Sequence, residues 1–157
     1  MSLSWQTLEL KIPPPVVAAL IAGAMWGASF VPPLMDIPRS IRAAAAAILA
    51  LAGGVFAVAG MISFVLARTT INPMLPESTS ALVRSGVYRF SRNPMYVGVL
   101  FVLIGWAAYL ASAWALLGPV AFVLYMNRFQ IAPEERALSA LFGPEYAAYA
   151  SKVRRWL

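Results

Sequence analysis

The chain has 157 residues, of which 61% are hydrophobic and only 11% are charged, and its net charge is +6. A typical soluble domain has about 25% charged residues, so this composition indicates an integral membrane protein. Cysteine and histidine are both absent, which excludes disulfides, thiolate catalysis and thiolate or imidazole metal sites. The basic residues lie beside apolar segments and not on one soluble face, which argues against nucleic-acid binding.

Two predicted membrane spans lie in the N-terminal half of the chain. The first runs from about Val16 to Leu34, and the second from about Ile41 to Leu66. At about 1.5 Å per residue, the second segment can cross a hydrocarbon core of about 30 Å with some tilt. Its small residues, which include the Ala43–Ala47 run and Gly53-Gly54, favour close contact between helices.

Two more spans are predicted between Arg92 and Arg128, where no charged residue occurs. One helix over residues 93–127 would be about 52 Å long, which is too long for a single crossing. We therefore predict a helical hairpin whose turn lies between Ala111 and Pro119. The residues that can break a helix in this interval are Ser112, Gly118 and Pro119.

Two short helices are predicted after the fourth span. Pro133 can begin the first and Gly143 can end it. Pro144 can begin the second, which carries Tyr146 and Tyr149 on one side and ends in basic residues. A basic helix with an aromatic stripe is typical of a helix lying on anionic lipid. The predicted fold is therefore all-α, a polytopic membrane protein with about four transmembrane helices and C-terminal interfacial helices.

The positions of the lysine and arginine residues predict the orientation of the spans in the membrane. Arg39 and Arg42 lie in the link between the first two spans, and the hairpin turn has no basic residue. The other ten lie on the opposite side: Lys11, Arg68, Arg84, Arg89, Arg92, Arg128, Arg136, Lys152, Arg154 and Arg155. By the positive-inside rule, both termini and the 68–92 loop face the cytoplasm. In a bacterium the membrane would be the inner membrane, and in a eukaryotic cell the endoplasmic reticulum.

A polar cluster is predicted where the two ends of the hairpin emerge together. The 68–92 loop and the tail after residue 127 would contribute Arg84, Tyr88, Arg89, Arg92, Asn93, Tyr96, Asn127, Arg128, Glu134, Glu135 and Arg136. A zwitterionic or anionic cofactor beside a lipid-facing substrate would need such a cluster. Taken singly, the arginines also suit membrane anchors, the tyrosines an interfacial belt and the glutamates a helix N-terminus.

The order of these residues resembles a known family of membrane enzymes. The segments SGVYRFSRNPMYVG (85–98) and EERALSALFGPEYAAYASKVRRW (134–156) resemble the isoprenylcysteine carboxyl methyltransferase-like group, which includes the phospholipid N-methyltransferases. The matching residues, in roughly the last half of the chain, are Gly86, Tyr88, Arg92, Pro94, Tyr96, Gly98, Glu134, Glu135, Phe142, Gly143, Tyr146, Tyr149, Val153 and Arg155. Asn93 stands where the family usually has histidine, and asparagine cannot take up a proton near neutral pH.

The resemblance implies an enzyme that uses S-adenosylmethionine, in one domain over residues 1–157, with an N-terminal helix pair (1–67) and a cofactor-binding core (84–157). The implied cofactor-binding residues are Tyr88, Arg92, Asn93, Pro94, Tyr96, Gly98, Glu134 and Glu135. Those implied as catalytic are Arg92, Asn93, Glu135 and Arg155, and those implied on the acceptor side are Tyr146, Tyr149 and Arg155. No metal is expected.

The chemistry of methyl transfer bears on the acceptor. A carboxylate is already ionised at pH 7 and needs no base, which favours carboxyl O-methylation of an isoprenylcysteine-like or other hydrophobic acceptor entering from the bilayer. Phospholipid N-methylation and thiol S-methylation stay open. Two other classes also stay open, an NADPH-dependent sterol-type reductase and a non-enzymatic membrane protein whose basic loops bind anionic lipid or a partner. The reductases have an acidic-Arg-Cys feature where this chain has Glu-Glu-Arg-Ala.

Overall fold

The computed structural model describes residues 9–68 and 79–157. Their α-helices are α1 (Pro14–Ala28), α2 (Arg39–Leu66), α3 (Pro94–Leu110), α4 (Leu117–Tyr125) and α5 (Ala132–Ala150). Short 3-10 segments lie at Gly86–Arg89 and Trp114–Leu116, and a π-helical turn, Met126–Ile131, joins α4 to α5. The predicted all-α class is confirmed. Residues 1–8 and residues 69–78 of the predicted cytoplasmic loop lie outside the described residues.

The helices have the length and the surface of membrane spans. The 28-residue α2 and the continuous helix Trp114–Ala150 are long and apolar enough to cross a bilayer, and α1 and α3 are shorter apolar helices. On α2, Leu51 is 72% exposed and Ile48 and Val55 are each 67% exposed. An apolar surface of this kind is stable against lipid and costly in water. These features indicate an integral membrane protein.

The first span is shorter than predicted. Helix α1 ends at Ala28 and not near Leu34, because Pro32 and Pro33 cannot continue a helix. The chain instead runs extended and forms an isolated antiparallel bridge between Leu34 and Ser112. This link therefore lies at the same end of the bundle as the hairpin turn.

The predicted hairpin is confirmed, and its turn is at the start of the predicted interval. Ala111 takes the left-handed conformation, with φ 49° and ψ 42°. The Met35 N–H donates to the Ala111 carbonyl at 2.8 Å, so the α1–α2 link holds the turn in place. Gly118 lies inside α4, where a Cβ atom would clash with the sulfur of Met25 in α1. Gly118 thus serves helix packing and does not form the turn.

Pro133 lies in the first turn of α5, as predicted, but α5 is not separated from the fourth span. The backbone stays helical through α4, the π-helical turn and α5 as far as Gly143, where φ is 46° and ψ is −120°. The wider π-helical turn before Pro133 accommodates the ring. Pro133 has no N–H for the carbonyl of Phe129, and the Leu10 N–H donates to that carbonyl at 3.0 Å. As predicted, the helix bends at Gly143.

Close packing of α2 on α3 positions the start of α3. A Cβ atom at Gly98 would lie 2.5 Å from the Gly53 carbonyl oxygen and 3.1 Å from the Ala57 nitrogen. Gly60 of α2 packs nearer the start of α3. A Cβ atom at Gly60 would lie 2.8 Å from the side chain of Met95. The predicted contact through small residues is therefore present between α2 and α3.

Gly53 and Gly54 provide a matched test of this packing. A Cβ atom at Gly53 would clash with the Gly98 carbonyl, whereas one at Gly54 would meet nothing within 4 Å. We expect Gly53→Ala to lower the free energy of unfolding by about 1–3 kcal/mol, because the helices must move apart. We expect Gly54→Ala to be neutral or slightly stabilising, because alanine favours a helix. Thermal unfolding in detergent measures both, and equal stability of the two variants would contradict the packing.

Candidate active site

The C-terminal segment folds back along the residues that precede α3. The Arg92 N–H donates to the Arg154 carbonyl at 2.9 Å. The side-chain amide of Asn93 donates to the Arg155 carbonyl at 2.9 Å, and the Ser91 hydroxyl reaches the same carbonyl at 3.4 Å. Ser91 is fully buried. In this way the SRNP segment holds the end of the chain by its backbone.

Two aromatic contacts fix the tail further. The Trp156 indole donates to the Asn127 side chain at 3.0 Å and packs edge-on against Phe122. The Tyr149 hydroxyl donates to the Tyr88 carbonyl at 2.7 Å. Burial raises the pKa of the Tyr88 phenol above its usual value, so this side chain stays neutral. The tail is thus attached both to the hairpin and to the loop before α3.

Glu135 lies between two arginines from distant parts of the chain. Arg92 donates to Glu135 Oε1 at 2.9 Å and to the Ala150 carbonyl at 3.1 Å. Arg155 donates through Nε to Oε1 at 3.0 Å and through a second nitrogen to Oε2. The hydrogen bond with Glu135 raises the pKa of Arg155. The Arg92 and Glu135 side chains are 15% and 19% exposed, so solvent screens their interaction less than at an open surface.

One donor of this cluster is unused. Arg92 Nε is buried and has no hydrogen-bond partner within the parts of the chain that the structure describes. An unpaired buried donor costs about 1–3 kcal/mol, which a ligand oxygen would recover. The three charged groups also sum to a net positive charge. The cluster is therefore suited to binding an anionic group such as a carboxylate.

Glu134 has a different environment, although it is the neighbour of Glu135. Its Oε1 accepts from the Tyr96 hydroxyl at 2.6 Å and from the Gln130 amide at 2.8 Å. Tyr96 is 8% exposed and Gln130 is 1% exposed. Successive helical residues point about 100° apart, so Glu134 faces the bundle interior. This network ties α5 to α3.

A cleft of about 480 Å³ opens beside Glu135. Its lining residues are Arg92, Ala132, Glu135, Arg136, Ser139, Tyr146 and Ala150. Three of the predicted site residues line it, namely Arg92, Glu135 and Tyr146. Of the others, Asn93 and Arg155 contact each other at its edge. The remaining predicted site residues do not line it, namely Pro94, Tyr96 and Gly98 of α3 together with Tyr88, Glu134 and Tyr149.

Helical periodicity accounts for three residues around the two glutamates that were not among the predicted site residues. Ser139 is four residues after Glu135 and Ala132 is three before it, so both share the face of Glu135 that lines the cleft. Gln130 is four residues before Glu134 and shares its inward face. Extending both faces by one helical turn from the two glutamates would have indicated these residues.

The N-terminal segment is attached next to the cleft. Glu9 accepts from Arg128 at 2.6 Å and also from Arg136, which lines the cleft. The hydrogen bond from Arg128 and the charge of Arg136 lower the pKa of Glu9 below its usual 4.5. Both arginines are about half exposed, so these pairs contribute at most about 1 kcal/mol. Their role is to hold this segment against the helix.

Asn93 provides a test of the folded-back tail. Asn93→Asp would place a carboxylate against the Arg155 carbonyl, where two acceptors face each other. We expect this variant to lose about 1–3 kcal/mol of unfolding free energy and to release the C-terminus to carboxypeptidase. Asn93→His keeps an N–H donor and should resist the protease like the wild type. Equal digestion of Asn93→Asp and Asn93→His would contradict this role.

The helices that form the site lie in a region that matches a known protein family. Residues 41–145, about two thirds of the chain, match the phospholipid methyltransferase family. The match includes α2, α3, α4 and the part of α5 that carries Glu134 and Glu135. No solved structure matches the chain.

Several relatives match shorter parts of the chain. An uncharacterised protein of Haemophilus influenzae is 48% identical over 63 residues, which are 40% of this chain and 100% of that protein. A probable protein-S-isoprenylcysteine O-methyltransferase of Oryza sativa subsp. indica is 39% identical over 84 residues, 52% of this chain and 42% of that protein. Methanethiol S-methyltransferase 1 of Bradyrhizobium diazoefficiens is 40% identical over 67 residues, 43% of this chain and 22% of that protein.

The chain aligns with less than half the length of the two named methyltransferases. These relatives do not favour the reductase or the non-enzymatic alternative, and they confirm the resemblance to the isoprenylcysteine carboxyl methyltransferase-like group. Since the family match covers about two thirds of a chain whose apolar helices suit a bilayer, this protein belongs to the phospholipid methyltransferase family of membrane methyltransferases.

Proposed function

We propose that this protein transfers a methyl group from S-adenosylmethionine to the carboxylate of a hydrophobic acceptor, such as an isoprenylcysteine-like group. The observation that carries the proposal is the cluster of Arg92, Glu135 and Arg155 at the cleft, with one Arg92 donor unused. The family implies a methyl donor, and the Oryza sativa relative is named for carboxyl O-methylation of an isoprenylcysteine.

The residues at the cleft fit S-adenosylmethionine. Arg92 would hold the carboxylate of its methionine part through the unused Nε, since arginine suits carboxylates. Glu135 would accept from its ammonium group, because each carboxylate oxygen can accept more than one hydrogen bond. Asn93 would act by holding the Arg155 segment at the cleft edge. The cofactor supplies a methyl group that the sulfonium charge already activates.

The protein's own contribution would be positioning and exclusion of water. The acceptor must lie about 3–3.5 Å from the methyl group and in line with the bond that breaks. Tyr146 and Arg155, on the tail side of the cleft, would position the acceptor carboxylate. The wall behind the cofactor would be formed by Tyr88, Pro94, Tyr96, Gly98 and Glu134. Neither a metal nor a covalent intermediate is required.

The charges at the cleft favour a carboxylate over an amine or a thiol. Arg92 and Arg136 line it and attract an anion, whereas Glu135 is already engaged by two arginines and is poorly placed to remove a proton. A phospholipid amine or a thiol would have to lose a proton before transfer. A thiol acceptor is the second candidate, because one relative is named a methanethiol S-methyltransferase.

The distribution of charge supports a cytoplasmic site. Arg39 and Arg42 lie at the end of the bundle that holds the hairpin turn, where Arg42 donates to the Tyr109 carbonyl at 2.6 Å. The other basic residues of the described chain lie toward the opposite end, with the cleft. By the positive-inside rule we infer that both termini and the cleft face the cytoplasm, across the inner membrane in a bacterium. The acceptor would enter laterally from the bilayer.

Substitutions at the cluster test this function. We expect Glu135→Gln and Arg92→Lys to raise the KM for S-adenosylmethionine at least tenfold, because the first removes the carboxylate that would accept from the ammonium group and the second removes the Arg92 Nε donor. Transfer of a labelled methyl group to an S-prenylated cysteine, with purified protein in lipid nanodiscs, measures the change. Asp36→Asn and Arg39→Lys make the same chemical changes far from the cleft and should act like the wild type. Unchanged kinetics in both cluster variants would remove the proposed site.

A further inference from the structure

A second cleft lies on the other side of the tail helix from the first. It has a volume of about 330 Å³ and is lined by Arg84, Arg89, Ala148, Tyr149, Lys152 and Val153. We call it the basic cleft. Its lining comes from the loop before α3 and from the end of α5, so two distant chain segments bring three cations together.

The three cations differ in their ion pairing within the part of the chain that the structure describes. Arg84 forms a salt bridge with Glu145 at 2.9 Å, and both side chains are about half exposed. The side chains of Arg89 and Lys152 form no ion pair with any residue in 9–68 or 79–157. The basic cleft therefore carries an excess of about two positive charges. Facing cations in one concave site repel each other, and an anion between them removes this cost.

The surroundings of the basic cleft indicate the membrane surface. Phe90, next to Arg89, is 69% exposed. Exposed apolar side chains beside cations are typical of segments at the level of lipid headgroups. The cytoplasmic leaflet is the anionic one in most cells. An anion that reaches this cleft from the bilayer carries both a negative group and an acyl chain.

We propose that the basic cleft binds the phosphate group of an anionic membrane lipid that is not the methyl acceptor. Arg89 and Lys152 hold the phosphate, and Arg84 shares its charge between Glu145 and the lipid. The ring of Tyr149 forms the wall of the cleft and keeps its hydroxyl on the Tyr88 carbonyl. The acyl chains lie outside, along exposed apolar residues such as Phe90.

The lipid would also strengthen the site for the methyl donor, and this part rests on the proposed function. The helix after Gly143 separates the two clefts: Tyr146 and Ala150 line one, and Ala148 and Tyr149 line the other. A phosphate held by Arg89 and Lys152 joins the loop before α3 to the tail, close to the point where Arg92 and Asn93 hold the tail backbone. It thus stabilises the arrangement that forms the first cleft.

The test titrates detergent-purified protein with phosphatidylglycerol, phosphatidylcholine or glycerol phosphate while thermal unfolding is followed. We expect phosphatidylglycerol to raise the Tm of the wild type. In Arg89→Gln/Lys152→Gln its affinity should fall roughly 25-fold, at about fivefold for each lost cation. Lys11→Gln/Arg39→Gln removes the same two charge types from exposed positions and should respond like the wild type. Lys152→Glu changes the charge of the cleft by the same two units and should weaken the response to a similar extent.

Three results would overturn the inference. They are an equal response of the Arg89/Lys152 variant and its control, an equal response to phosphatidylcholine, and an equal response to glycerol phosphate, which would assign the cleft to free phosphate. A separate titration with S-adenosylhomocysteine keeps the two proposals apart. Its binding in the absence of lipid tests the proposed function, and its tighter binding with phosphatidylglycerol tests the coupling.

Discussion

The ion-pair cluster at Glu135 is the interaction on which the candidate site depends. It joins Glu135 in the first turn of α5 to Arg92, just before α3, and to Arg155, near the end of the chain. These arginines are 43 and 20 residues from Glu135 in sequence. A charge-assisted hydrogen bond of this kind contributes about 1.5–3 kcal/mol. The gain is large enough to hold a short polar tail against the bundle. Without it, the tail would depend on its backbone and aromatic contacts and on the half-exposed Arg84–Glu145 pair.

The packing of apolar helices makes this cluster possible. The glycines of α2 and α3 allow their backbones to approach closely, which places Arg92 and Asn93 at one end of the bundle. The continuous helix from Trp114 carries Glu134 and Glu135 to the same end, because the π-helical turn lets it pass through Pro133. The membrane part of the protein thus sets the geometry, and the polar residues at its end supply the chemistry.

The sequence predicted those features that depend on composition and local rules. The uncharged segment 93–127 indicated a hairpin, and Gly143 indicated the bend, because both follow from the physics of short segments. The turn itself could not be located, since Ala111 is held in the left-handed conformation by the distant Met35. The continuity of the helix from the fourth span through Pro133 could not be predicted for a similar reason. It depends on the π-helical turn and on the Leu10 N–H, which donates to the Phe129 carbonyl.

The candidate site was predicted in part. The family resemblance implied Arg92, Glu135 and Arg155 as site residues, and the structure brings the three into one cluster. The different directions of Glu134 and Glu135 could not be read from a Glu-Glu pair alone, because they depend on how α5 is rotated against α3. The tyrosines of the tail are also separated: Tyr146 lines the first cleft and Tyr149 the basic cleft. Both are buried against the protein, so the aromatic stripe does not face lipid.

Ligand-dependent thermal stability of the purified wild-type protein tests the central claim most directly. S-adenosylmethionine, S-adenosylhomocysteine and NADPH would each be added at increasing concentration. A ligand at 100 times its dissociation constant adds about 2.7 kcal/mol to the free energy of unfolding, which is readily measured. The account predicts stabilisation by both adenosyl compounds and none by NADPH. Stabilisation by NADPH alone, or no response to any of the three, would contradict it.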